Sequence, residues 1–329
     1  MDIRILSSAK DLQVYAQWVK NHPHGSLWQS LERKNYLEAC GKKVVIYTVP
    51  DQEKIIASAL VVIDRTFGGL STWDIPRGPL GPQIDNSKLI IEKMMETILG
   101  DAQNDRSMSL FFSPQSKIIL NSQFSILNSP RLIHAEASRI LDLTQTEDQI
   151  LSQMEPKGRY NIKVAQKHGI TVEQSNDVDA FYELLKGTGG RDGFVINSKA
   201  HYSRFLSELE GSFLLIAMHD KKPIAGLIGV TWNGAGYYYY GASDYAHRNL
   251  MAPYLVQWEG MKLCKGKGCT TYDLLGIAPT GAADDHPWAG ITGFKARFGG
   301  TVIEYPPEQE IVLRPVVRGL LQWKRRVIG

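Results

Sequence analysis

Two stretches of this chain follow one pattern and decide its fold: residues 213–232, FLLIAMHDKKPIAGLIGVTW, and residues 44–63, VVIYTVPDQEKIIASALVVI. Each has an apolar run, a charged turn that contains a proline, and a second apolar run, which together predict a β-hairpin. After each hairpin the pattern predicts a strand, a helix and another strand. These segments are residues 71–75, 88–99 and 108–112 in the first half, and 237–241, 253–266 and 271–277 in the second. Recurrence of the whole order indicates a duplicated unit.

A mixed sheet with a helix after its central strand is the GNAT acyltransferase topology. The predicted class is therefore α/β (α+β), with two GNAT-like domains, each a mixed, mostly antiparallel sheet flanked by helices. A length of 329 residues is large for a single core, which agrees with two domains.

Composition narrows the class of protein without naming a function. Hydrophobic residues make up 43% of the chain and charged residues 22%, and the net charge of +3 is too small to indicate a polyanionic partner. No apolar window is long enough to span a membrane, and the first residues lack the apolar centre of a signal peptide. The three cysteines, Cys40, Cys264 and Cys269, form no CxxC pair. We therefore expect a cytoplasmic protein with no metal site.

Residues 272–300, YDLLGIAPTGAADDHPWAGITGFKARFGG, contain the strongest candidate for chemistry. The run 272–277 predicts a buried strand, and Lys295 follows between two aromatic residues, Phe294 and Phe298. A lysine in this position suits a compact positive charge in a pocket. The alternative is that the two phenylalanines, at helical spacing, are core residues and that Lys295 is solvated.

The order of strand, HPW loop and GxFKxxFGG resembles the closing motif of the Fem aminoacyltransferases, the FemX, FemA and FemB group that builds peptidoglycan cross-bridges. Three further segments resemble that family: a central segment of residues 240–243, 249–254 and 258–259, a basic segment of residues 159–169, and a turn of residues 76–79. The resemblance covers nearly the whole chain, and it also implies tandem GNAT-like domains. Between Lys186 and His201 there is no room for the coiled-coil arm of the FemA-like members, so we expect the short form.

The resemblance also implies that the last segment of the chain returns to complete the first domain. We therefore expect a first domain of residues 1–144 plus 306–329 and a second of residues 145–305. Within the returning segment, residues 310–313 suit a strand and residues 315–327 a helix.

The turn before the helix of the second repeat indicates which acyl donor the protein can bind. Coenzyme A enzymes of the GNAT class hold pyrophosphate on the backbone N–H groups of a glycine-rich turn that opens a helix. The equivalent turn here, Arg248–Pro253, has no glycine, and Pro253 lacks an N–H. The family's donor is an aminoacyl-tRNA ester, which is already activated, and the sequence has no GxxxxGK(S/T) loop for ATP. The resemblance thus implies an aminoacyl-tRNA donor and no cofactor.

Four residues fall on the family's catalytic and channel positions. The resemblance implies that Lys295 steadies the developing anion or the tRNA terminus, and that the Phe294 carbonyl orients the acceptor amine. It places Tyr238 and Tyr240 along the acceptor channel. A half-buried strand whose alternate rings face core and solvent would equally explain the tyrosine run 237–240.

The family's acceptor is a peptidoglycan precursor, UDP-muramyl-pentapeptide or a lipid-linked form, and cations should meet its diphosphate. Lys34 is the counterpart of one family cation, although the aligned column holds Asn35. Lys199 lies close to the position of a second, where Asn197 stands. Peripheral contact with a membrane stays open for such an acceptor.

The segment from residue 157 to 167 carries four cations at spacings that share a helical face: Lys157, Arg159, Lys163 and Lys167. Such a run is a solvated helix or a contact for phosphate, from tRNA or from the precursor, with Arg159 and Lys163 as the candidates. His286 has no partner at a fixed spacing, and we expect the HPW loop to pack Trp288 under the site.

The first interpretation is a Fem-like aminoacyltransferase that joins an amino acid from aminoacyl-tRNA to an amine of a peptidoglycan precursor. The enzymatic alternative is an N-acyltransferase that uses acyl-CoA, or a Fem relative that acts on an amine outside the cell wall. The non-enzymatic alternative is a GNAT-like module that only binds a nucleotide-sugar or tRNA.

Overall fold

The computed structural model describes residues 1–52, 54–65, 68–82, 87–116, 126–131, 133–192 and 195–320. These residues form two compact units. The first contains Met1–His134 and the segment that begins at Tyr305, and the second contains Ala135–Glu304.

The first unit is built on a sheet of seven strands. In their order across the sheet they are β1 (Arg4–Ile5), β2 (Lys43–Asp51), β3 (Lys54–Arg65), β4 (Ser71–Ile75), β5 (Ser107–Phe112), β14 (Gln309–Val312) and β6 (Ile126–Asn128). The helices are α1 (Ala9–Asn21), α2 (Leu31–Ala39) and α3 (Ser87–Asn104), with a short 3-10 turn at Leu27–Gln29.

The second unit has a sheet of the same size. Its order is β13 (Thr301–Glu304), β7 (Ala137–Asp142), β12 (Thr271–Ile277), β11 (Ala235–Ser243), β10 (Lys222–Trp232), β9 (Ser212–His219) and β8 (Thr171–Ser175). The helices are α4 (Glu147–Gln153), α5 (Pro156–Lys167), α6 (Val178–Asp192), α7 (Lys199–Glu208), α8 (Ala252–Gly266) and α9 (Ala289–Ala296), and Tyr245–Leu250 is a 3-10 segment.

The two units repeat one topology, as predicted. The hairpin β2–β3, strand β4, helix α3 and strand β5 match β9–β10, β11, α8 and β12 in order. In each unit the last two of these strands are parallel and the other neighbours in the repeat are antiparallel. The β9–β10 turn has positive φ at Asp220 (48°) and Lys221 (62°), the backbone of a two-residue hairpin turn that follows strand twist.

The first boundary differs from the sequence expectation of residue 144, because the first unit ends at His134. Strand β7 belongs to the second unit, where it pairs with β12 on one side and β13 on the other. At the other end of the chain, β14 pairs with β5 and β6 and so returns to the first sheet. Of the helix predicted at 315–327, residues 315–320 are helical and residues 321–327 lie outside the described part.

The core of the second unit that supports the candidate site lies between its sheet and helices α5 and α8. Buried Leu215, Leu227, Trp258 and Phe298 belong to this core. On the other face of the sheet, α6 packs on β10 and β11.

Candidate active site

The site lies where β11 and β12 separate. Their parallel pairing joins Ala235–Tyr237 to Thr271–Asp273, and the described chain shows no further pairing between them. Tyr238 on β11 and Gly276 on β12 therefore come after the point of separation. Helix α9 packs on β12 and brings Lys295 to this opening.

Lys295 is buried, with 6% of its surface exposed. Its Nζ donates a hydrogen bond to the Gly276 carbonyl oxygen at 2.7 Å and lies 5.6 Å from the centre of the Tyr238 ring. Such a distance allows a cation–π contact with the ring. An ammonium has three N–H donors, and its one recorded hydrogen bond within the described chain goes to Gly276. The solvated alternative for Lys295 is therefore wrong, although the alternative correctly placed Phe298 in the core.

Burial sets the electrostatics of the two polar side chains at the opening. It lowers the pKa of Lys295 from 10.5 to about 8, while the charge of Asp273 acts in the opposite direction. Burial also raises the pKa of Tyr238 to about 12. At neutral pH the site therefore presents an ammonium beside an un-ionised phenol.

Phe294, which precedes Lys295, packs against the core of the second unit. Its ring is 5.2 Å from those of Tyr254 and Phe298. Its carbonyl is in the last turn of α9, where it accepts a 3-10 type bond from the Arg297 N–H, while the Phe298 N–H bonds the Lys295 carbonyl. A carbonyl at a helix end keeps capacity for a further donor.

The two predicted channel tyrosines do not share a face. Ile228 pairs with Tyr240 and Gly229 with Tyr238, so Tyr239 is the extra residue of a β-bulge. Tyr238 packs on the α8 side, against the core described above. The Tyr240 hydroxyl instead lies 2.9 Å from His201 Nε2 on α7.

A cavity of about 110 Å³ lies at the turn before α8. Asp244, His247, Arg248 and Phe294 are among its lining residues. His247 Nδ1 and Asp244 Oδ2 are 2.6 Å apart, and this contact holds the pKa of Asp244 below its usual range. Pro253 lies in the first turn of α8, where it offers no N–H.

Three of the four predicted cations have protein partners, as the contacts of each one show. Lys34, on α2 of the first unit, pairs with Glu38 at 2.6 Å. Lys199, at the start of α7, pairs with Asp179 and is about half exposed. Arg159 donates to the carbonyls of Ser152 and Met154 at the end of α4, and Lys163 is exposed on α5.

The first unit contains a cluster that sequence spacing did not reveal. Ligand-type atoms of Asp74, His134 and Glu308 lie within 4.8 Å of one another. The Arg131 guanidinium pairs with both carboxylates, at 3.3 Å from Asp74 and 2.8 Å from Glu308, and so supplies a counter-cation within the cluster. Burial acts to raise the pKa of Asp74, but His134 and Arg131 bring it below its usual range.

Asp273, at the opening, was also missed as a site residue. Asp273 is buried, and its Oδ1 accepts hydrogen bonds from the Leu275 N–H and the Ser138 hydroxyl. The sequence did contain a signal for Asp273, because it is the charged residue inside the apolar run 272–277. Trp288 packs against Gly276, where a Cβ would meet its ring at 3.1 Å, which agrees with the packing expected for the HPW loop.

The sequence of this chain is similar to those of a known protein family. The sequence profile of the FemAB family matches residues 11–129, 124–218 and 214–323. The chain is 22% identical to a lipid II:glycine glycyltransferase of Staphylococcus epidermidis, over 94% of this chain and 93% of that protein. It is 22% identical to the Staphylococcus aureus protein of the same name, over 59% of this chain and 63% of that protein.

Solved structures show the same fold. A crystal structure of FemX has a TM-score of 0.79 and 18% identity, and covers 97% of this chain and 99% of that chain. A tandem GNAT protein from the clavulanic acid biosynthesis pathway has a TM-score of 0.60 and 11% identity, over 95% of this chain and 99% of that one. Across its described residues, this chain has no helix with the length and apolar character of a membrane span. The chain belongs to the FemAB family and is a transferase built on the GNAT fold.

Proposed function

We propose that this chain transfers an amino acid from an aminoacyl-tRNA to an amine of a peptidoglycan precursor. The observation that carries the proposal is the buried Lys295 ammonium at the separation of β11 and β12. The name of the Staphylococcus epidermidis relative gives lipid II as acceptor and glycine as the transferred residue, which supports an acceptor of this class. The soluble UDP-muramyl-pentapeptide is the other form to test.

The reaction replaces the ester C–O bond with an amide C–N bond and moves one proton from nitrogen to oxygen. The neutral acceptor amine attacks the ester carbonyl carbon, a C–N bond forms, and the C–O bond to the tRNA ribose breaks. The amine's proton leaves with the departing tRNA oxygen. The carbonyl oxygen carries negative charge in between, and Lys295 is the cation that stabilises it. The Phe294 carbonyl, at the end of α9, is the acceptor that orients the attacking amine.

The cavity at the turn before α8 is the proposed place for the donor's terminal nucleotide, because it is lined by Phe294, the residue that precedes Lys295. Arg248 at this cavity offers a positive charge to a phosphate. The same turn is poorly suited to coenzyme A, since Pro253 removes an amide donor and no glycine permits close approach.

Acetyl-CoA is therefore expected to bind no more tightly than millimolar, a free energy of about −4 kcal/mol. Isothermal titration calorimetry measures this, with an acetyl-CoA-dependent GNAT enzyme as the positive control. Micromolar binding by this chain would overturn the donor assignment.

The transfer rate is expected to fall as pH rises through about 8, because Lys295 then loses the proton that makes it a cation. The acceptor amine must be neutral, so its deprotonation gives an ascending limb at lower pH. Initial rates with charged tRNA, corrected for spontaneous ester hydrolysis, measure both limbs. In Lys295→Arg the residual rate should lack the descending limb, since arginine stays protonated. An unchanged limb in that variant would assign the titration to another group.

Incubation with a panel of charged tRNAs tests the function itself. Each reaction contains either UDP-muramyl-pentapeptide or the lipid-linked precursor, and product masses are measured. We expect a gain of one aminoacyl residue on one acceptor. No gain with any tRNA on either acceptor would contradict the proposal.

A further inference from the structure

Strand β12 contains a backbone distortion next to the Lys295 ammonium. Its pairing with β7 changes register between Asp273 and Gly276. Within this interval Leu275 has φ of 57°, a left-handed conformation that strains a residue with a side chain. Surrounding contacts must therefore hold the bulge in place.

The Asp273 carboxylate makes those contacts. Its Oδ1 accepts the Leu275 N–H at 2.7 Å, which is the amide of the strained residue itself. The Ser138 hydroxyl, on β7, donates to the same oxygen and ties it to the neighbouring strand. Asp273 is 8% exposed, so water competes little for these bonds.

The bulge determines where the next carbonyl lies. Directly after Leu275, the Gly276 carbonyl accepts the bond from Lys295 Nζ at 2.7 Å. Trp288 packs against Gly276 and limits its movement. A continuous set of contacts thus runs from the carboxylate through the bulge to the ammonium.

We propose that Asp273 is a positioning residue for Lys295: its carboxylate holds the Leu275 bulge that directs the Gly276 carbonyl onto the Lys295 ammonium. The role of Lys295 itself rests on the proposed function. Asp273 also acts on the ammonium through its charge, since it raises the pKa of Lys295 against the larger effect of burial.

Several titratable groups surround Lys295, and each could in principle affect its pKa. Asp273 faces it from β12, and the Tyr238 ring faces it from β11. Tyr254 reaches the same helix from α8 through Phe294, and the Glu155–Arg297 ion pair links the start of α5 to the end of α9. Among these, the Asp273 charge is the one that acts on Lys295 Nζ directly.

Asp273→Asn is the main variant, because the amide keeps an oxygen for the Leu275 N–H and removes only the charge. We expect kcat to fall about 10-fold with KM within about 2-fold. The descending limb of the pH–rate profile should move to lower pH by more than about half a unit. Asp273→Ala, which also loses the bond to the bulge, should lower kcat about 10²-fold. Ser138→Ala should act in the same direction with a smaller effect.

A measurement without substrate tests the role of Asp273 independently of the proposed transfer reaction. The Lys295 pKa can be measured by NMR of 13Cε-labelled lysine, assigned with Lys295→Arg, and it should fall in Asp273→Asn. Asp220→Asn, at the exposed β9–β10 turn, is the matched control and should change neither the pKa nor kcat. An unshifted Lys295 pKa together with an unchanged pH–rate profile in Asp273→Ala, the variant that loses the bond to the bulge, would overturn the positioning role. A shifted pKa with full activity in Lys295→Ala would instead overturn the proposed role of Lys295.

Discussion

Replacing Lys295 with alanine or methionine is expected to lower kcat of the transfer reaction 10²- to 10³-fold, about 3 to 4 kcal/mol of transition-state stabilisation. The ammonium lies in a site with little water, where a fixed charge acts strongly on a developing oxyanion. KM should change much less, because the interaction strengthens only as charge develops. Steady-state rates with charged tRNA and precursor measure both constants.

Lys295→Met distinguishes the effect of the charge from the effect of side-chain size, since methionine fills similar space without the ammonium. The pKa shift of Lys295 from 10.5 to about 8 corresponds to about 3 kcal/mol, which the charged side chain costs the folded state at neutral pH. Loss of the bond to Gly276 costs a similar amount, so stability should stay within about 1 kcal/mol. Lys222→Met, at an exposed lysine of β10, is the matched control. Near-normal kcat in Lys295→Met would remove this residue from the chemistry.

Replacing Arg131 with alanine is expected to destabilise the first unit by about 3–5 kcal/mol. Its guanidinium bonds Glu308 through two nitrogens, at 2.8 and 2.9 Å, and also pairs with Asp74. It lies 3.4 Å above the Phe111 ring. The Glu308 side chain is only 2% exposed, so removal of Arg131 leaves buried negative charge without this partner. Urea unfolding measures the change, and hydrogen exchange should place the loss of protection in the first unit.

A surface ion pair provides the comparison. Arg4 and Asp2 are 61% and 60% exposed, and Arg4→Ala should cost no more than about 0.5 kcal/mol. If Arg131→Ala costs no more than Arg4→Ala, the cluster does not hold the returning C-terminal segment in the first unit. The Arg131→Ala/Glu308→Gln double variant should recover part of the stability, because it removes one of the unpaired charges.

The repeated hairpins made most of the fold predictable. Alternation of apolar runs and short turns marks β2–β3 and β9–β10 in both halves, and local pattern determines such elements. Strand β7 was missed because its membership depends on pairing with β12 and β13, which are distant in sequence. The domain boundary at residue 144 was wrong for the same reason.

The candidate site was predictable only where a residue type and its sequence neighbours indicated a reactive group. Lys295 between two phenylalanines was visible as a candidate, but its burial depends on how α9 packs against β12. The separation of Tyr238 from Tyr240 was not visible, because a bulge at Tyr239 leaves no signal in a run of identical residues. The cluster at Asp74 joins residues from three distant parts of the chain, which no spacing rule finds.

A competition reaction between the two donors decides whether aminoacyl-tRNA or acetyl-CoA is used. The protein is incubated with charged tRNA, 13C-labelled acetyl-CoA and the peptidoglycan precursor together, and the mass of the precursor is measured. We expect the precursor to gain one aminoacyl residue, and we expect no gain when the charged tRNA is digested with ribonuclease before the reaction. A gain of the labelled acetyl group in its place would contradict this expectation.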